Sequence, residues 1–161
     1  MSEEELMDPL AGLAEQDMTE VDTDFPLLPS AQYDMTVASM EVVESKNKPG
    51  NHNILVELAT TEDVQAHESE RILKAGHKVR SYYPLQNPDP NPSGFNFQEN
   101  IARFIDAVMG TNKANRPNFD RTFGDYLNKP VVATIAIRER EENGEKTGMF
   151  NNDVKKLAFP G

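Results

Sequence analysis

Lys78, Arg80 and Tyr82 are the residues whose types and spacing most suggest chemistry. They fall in His77-Lys78-Val79-Arg80-Ser81-Tyr82-Tyr83, which runs up to Pro84. Extended backbone repeats every two residues, so Lys78, Arg80 and Tyr82 share one face, with Val79 and Tyr83 on the other. An unpaired polynucleotide needs this pairing of cations with a ring. Cations track its phosphates, and a ring stacks on a base for about 1–3 kcal/mol. Taken alone, such a triplet is more often a solvated outer face than a site. A second basic cluster supports the binding reading: Lys46, Lys48 and His52 surround a Pro49-Gly50 turn. Arg138 and Arg140 extend the cationic set, though Glu141, Glu142 and Glu145 dilute it.

Other chemistries find less support. Asp89-Pro90-Asn91-Pro92-Ser93-Gly94 matches the first half of a calcium loop, but its twelfth position is Asn100 where a bidentate glutamate belongs. Its prolines also stiffen the loop wrongly, so a Pro-rich connection into a helix cap is the better account. His52, His67 and His77 have no close metal-ligand spacing. Without cysteine there are no disulfides, thiolate metal sites or cysteine nucleophiles. Glu57 and Asp63 are the only carboxylates that tempt a two-metal nuclease reading, and a surface location explains them. The chain has no Walker loop, GxGxxG or GxSxG. No enzyme, cofactor or metal is expected.

The chain has 161 residues and a net charge of -11, which taken as a whole is unfavourable for nucleic acid. Its distribution reverses that impression. Residues 1–24 carry nine acids and no lysine or arginine, so residues 25–161 hold 18 acids against 16 basic groups, a net of -2. A single-sign block of this kind is expected to be a disordered acidic tail that solvates the chain or recruits a partner. Leu6, Leu10, Leu13 and Met18 could line one side of a weak amphipathic helix within it. Ser2-Glu3-Glu4-Glu5-Leu6 lacks the segments of a signal peptide, and no run approaches the length of a membrane span. A cytoplasmic location without membrane contact is therefore expected.

The remainder, 25–161, reads as one domain. Tyr33, Met35 and Val37 alternate with polar residues, and Met40, Val42 and Val43 continue with a shifted phase, predicting a long strand with a bulge near Ala38–Ser39. Ile54, Val56 and Leu58 predict an inward-facing second strand, and 77–83 the third. The polar stretch 60–75 suggests a short helical turn through Val64–Leu73. Asn96 followed by Glu99 is the capping-box spacing, and Phe97, Ile101, Phe104, Ile105 and Val108 then form a helical stripe ended by Gly110. A short element is expected around Phe119–Leu127. Val131, Ala133, Ile135 and Ile137 alternate in a fourth strand, and Asn143-Gly144 predicts a hairpin into a fifth. Strand-strand-strand-helix-strand-strand is the connectivity of the OB-fold, a five-stranded barrel that binds on its second and third strands, flanked by two loops. Those loops are 45–52 and 141–148 here.

Several segments also resemble a family of small phage-encoded OB-fold-like proteins associated with replication and recombination genes. The resemblance rests on Leu28-Pro29-Ser30-Ala31-Gln32-Tyr33, Ser45–Asn51, the Ile101–Gly110 helix, Leu127-Asn128-Lys129-Pro130-Val131 and Asn152-Asp153-Val154-Lys155. It covers roughly 25–160, and the family carries glycine where Asn128 stands. The resemblance implies non-catalytic binding of single-stranded DNA in phage replication or recombination, within host cytoplasm. The expected interface comprises Lys46, Lys48, Lys78, Arg80, Tyr82, Arg138 and Arg140. A replication or recombination protein is the candidate second partner, through the acidic tail. The alternatives are a protein-interaction or virion structural module using that tail and, behind it, a metal-dependent nuclease.

Overall fold

Alternating apolar residues and Gly- or Asn-containing turns build a mostly β architecture with one principal helix. The computed structural model describes residues 10–20, 26–46 and 48–161. Along the chain, α1 (Ala11–Glu15) and a 3-10 turn (Met18–Glu20) precede β1 (Ala31–Glu44), β2 (His52–Thr60), β3 (Val64–Gln65), β4 (Ile72–Leu73) and β5 (Lys78–Pro84). Helix α2 (Phe97–Met109) follows, then β6 (Pro130–Glu142) and β7 (Glu145–Ala158). Within the expected tail, residues 1–9 and 21–24 lie outside the described residues. Leu10, Leu13 and Met18, at α1 and its flanks, are exposed.

The five long strands form one antiparallel sheet in the order β5-β2-β1-β6-β7. The expected five-stranded OB-fold-like barrel does not close: β5 and β7 remain unpaired edges. The sheet coils until their Cα atoms come within 8 Å. Helix α2 packs beside that seam, its buried face made by Phe104, Ile105, Ala107 and Val108. Closure would require the two edges to exchange backbone hydrogen bonds, and side chains from β5, α2 and β7 line the space between them instead.

The phase slip in β1 is a bulge. Val37 pairs with Leu58 and Ser39 with Glu57, leaving Ala38 as the extra residue. Met35, Val37, Ile54, Val56, Leu58, Val131, Ala133 and Ile135 consequently meet in one core with Leu28, Phe104, Val108 and Tyr126. An aromatic run crosses it, with ring centroids 5.1 Å apart for Tyr83–Phe104 and 5.5 Å for both Phe104–Tyr126 and Phe119–Tyr126. The strap before β1 is tied to β7, since Asn152 accepts from the Leu28 N–H at 2.8 Å and donates to its carbonyl at 2.9 Å.

Four local expectations are corrected or refined. The stretch through Val64–Leu73 is a β3–β4 hairpin, not a helical turn; Val64 pairs with Leu73, and Glu68 turns the chain at φ 49°. The capping box forms by half. Asn96 accepts from the Gln98 and Glu99 N–H groups at 3.0 and 3.2 Å, while the Glu99 side chain pairs with Arg103 at 3.6 Å. The Phe119–Leu127 element is a series of turns held by Asp120, which accepts from the Thr122 N–H and hydroxyl and from the Asp125 N–H. The loop expected at 141–148 is largely paired ribbon, closed by Asn143 and Gly144 at φ 52° and 80°.

Candidate nucleic-acid interface

The β2–β5 register puts Ala59, Glu57 and Leu55 opposite Lys78, Arg80 and Tyr82. Leu58 and Val79 point into the core between them, so the three predicted residues occupy the outer face of β5. Tyr82 is 49% exposed there, the only large aromatic of the strand open to solvent. Glu57 tempers the cations, lying opposite Arg80 and 4.0 Å from the Lys78 ammonium. Loop 45–51 lies at the end of the sheet where β5 finishes, the end nearer Tyr82 than Lys78. There the Leu85 N–H donates to the His52 carbonyl at 3.0 Å, and the Gln86 side chain accepts from the His52 N–H. Lys46 and Lys48 are exposed on that loop. The ends of the loop are tied: the Ser45 N–H donates to the Asn51 carbonyl at 2.8 Å, and the Gly50 N–H, at φ 89°, donates to Glu44. At about 3.3 Å per strand residue, the strip from Lys78 to this loop is on the order of 20 Å long.

Arg138 and Arg140 stand apart from this strip. Strand β1 pairs with β6 only up to Ile135, so β6 and β7 continue beyond the start of β1 as a two-stranded ribbon. Loop 45–51 follows the end of β1, which places the arginines and the loop at opposite ends of that strand. Each arginine also has a carboxylate partner, Arg138 with Asp153 at 3.3 Å and Arg140 with Glu142 at 3.7 Å. Met149 and Phe150 are exposed on the same ribbon, beside a register irregularity at Arg140.

A cleft of about 490 Å³ lies at the open seam, between β5 and β7 and against α2. Its walls include Tyr82 and Tyr83 from β5, Arg103 from α2, and Lys155 and Lys156 from β7. Sequence reasoning missed these three cations. In a regular strand Lys155 and Lys156 would face opposite ways. Here Thr134 pairs with Lys156 and Ile135 with Val154, making Lys155 the extra residue of a bulge. A bulge of this kind turns both lysines to the seam, and nothing in their own segment announces it.

Asp106 also reaches the cleft, but its charge is engaged. Arg116 donates to both its oxygens at 2.9 and 2.7 Å, and the Thr111 hydroxyl donates at 2.8 Å. Those bonds hold the Asp106 carboxyl below the usual range, Arg116 being the main cause. Burial pushes the Tyr83 phenol up from its ordinary value. Among the described residues, no group of three or more His, Asp or Glu side chains is arranged to hold a metal ion. No family model and no curated protein matches the chain.

Proposed function

We propose that the protein binds single-stranded DNA without chemistry, through the outer face of β5 and loop 45–51. The observation that carries this reading is the shared face of Lys78, Arg80 and exposed Tyr82, with Lys46 and Lys48 at its end. Rings for bases and cations for phosphates then lie along one line. The order β5-β2-β1-β6-β7, with α2 between the third and fourth long strands, supports an OB-fold-like sheet opened at its seam. Phage replication or recombination is the setting suggested by the resemblance of the segments above. Arg138 and Arg140, distant and ion-paired, are secondary contacts at most.

Fluorescence anisotropy with single-stranded and duplex oligonucleotides across a salt series tests this reading. Tighter binding of the single strand, weakening steeply as salt rises, is expected. Absence of binding at low salt would overturn it. Exposed Met149 and Phe150 on the β6–β7 ribbon would then favour the second reading, a protein-interaction or virion structural module.

A further inference from the structure

We propose that the cleft between β5 and β7 is a nucleotide subsite, which takes one base and its phosphates where the bound strand rounds the β5 edge. This inference rests on the single-stranded DNA reading and extends its path to residues outside the β5 face and loop 45–51. Three observations carry it. The first is room: about 490 Å³ falls within the range of small-ligand sites, roughly 300–1,000 Å³.

The second is charge. Arg103, Lys155 and Lys156 come to the cleft from two different elements. Lys156 has no ion-pair partner among the described residues, and Lys155 must share Asp153, at 3.5 Å, with Arg138. Arg103 leans on Glu99 at 3.6 Å, but both side chains are largely exposed, and that contact yields readily to a phosphate. The one acid lining the cleft, Asp106, is committed to Arg116 and Thr111. Its balance is therefore cationic although the whole chain is anionic.

The third is the ring surface. Tyr83 packs on Phe104 at 5.1 Å within the walls, and half-exposed Tyr82 belongs both to the cleft and to the outer face. Tyr82 thus joins the two surfaces. An acidic peptide would use the cations and leave the rings without a stacking partner, whereas a nucleotide uses both.

The test titrates the full-length protein and its variants against a fluorescent oligo-dT, by anisotropy at several salt concentrations. Arg103→Ala and Lys156→Ala alter exposed side chains outside the core, and matching thermal melts would verify that they fold. Each is expected to weaken binding several-fold and to lower the log–log salt slope by about 0.7, the loss of one phosphate contact on a single strand. Lys129→Ala, outside both surfaces, should bind as the parent does. In parallel, photo-crosslinking to 5-iododeoxyuridine should mark Tyr83, which lines the cleft but not the outer face. Suppose Arg103→Ala and Lys156→Ala bind like the parent while Arg80→Ala and Tyr82→Ala weaken binding. The cleft is then not a subsite, and the β5-face reading survives. If the parent protein binds no single strand at low salt, both are overturned.

Discussion

Asn128 holds the left-handed conformation, φ 66°, at the entrance to β6, where its N–H donates to the Val37 carbonyl at 2.7 Å. The backbone at this position suits few residues: glycine and asparagine tolerate positive φ where a branched side chain does not. Asn128→Gly is expected to leave stability within about 0.5 kcal/mol, whereas Asn128→Val should lose about 1–2 kcal/mol. Urea unfolding of the two variants measures the difference. Tyr82 and Arg80 separate the two components of binding at the same scale. Tyr82→Ala should cost about 1–3 kcal/mol of affinity with little change in salt slope, because stacking releases few counterions. Arg80→Ala should lower the slope by about 0.7 instead. If both variants bind as the parent does, the interface lies elsewhere.

At the scale of elements, α2 is positioned from both ends. Asn96 caps its start, and Gly110 ends it at φ 70°, where an added Cβ would stand 2.8 Å from the Phe159 ring. Arg116 then ties the following loop back to the helix through Asp106. This tie is pH-dependent in a definite direction. Bonding to Arg116 and Thr111 lowers the folded-state pKa of Asp106 below the unfolded value of about 3.9, so the unfolded chain takes up the proton first. The stabilisation is complete above that value and is lost as pH falls through the lower, folded pKa. Asp106→Asn should therefore melt below the parent at neutral pH, and the two melting curves should converge in acid. A gap that persists unchanged at pH 2 would show that the tie acts through packing rather than charge.

Across the whole molecule, the acidic leader is expected to oppose the proposed binding surface. Removing residues 1–24 takes the net charge from -11 to -2. A tethered anionic segment competes with phosphate at high effective concentration, and salt screens that competition as the Debye length falls from about 10 Å at 0.1 M to about 3 Å at 1 M. The truncated protein should bind an oligonucleotide more tightly than the full chain in dilute buffer, and the advantage should fade as salt rises. Equal affinities at low salt would make the leader a solubility segment and leave the β5 face unaffected.

Local periodicity reaches a long way into this protein and stops at the seam. The alternations at 33–37, 54–58 and 131–137 were enough to place the strands and their inward faces, because one buried side dictates a two-residue period. The phase slip before Met40 located the β1 bulge, and Asn143-Gly144 located the last turn. The outer face of Lys78, Arg80 and Tyr82 was legible for the same reason. Val64–Leu73 was not: with two-residue strands it has too few alternating positions to show a period. Whether β5 and β7 pair was equally out of reach, since closure depends on how far the whole sheet coils and on what α2 places between its edges. The convergence of Arg103, Lys155 and Lys156 follows from that open seam and from a bulge created by cross-strand register. The residues were visible in the chain, but only packing between elements distant in sequence brought them to one cleft.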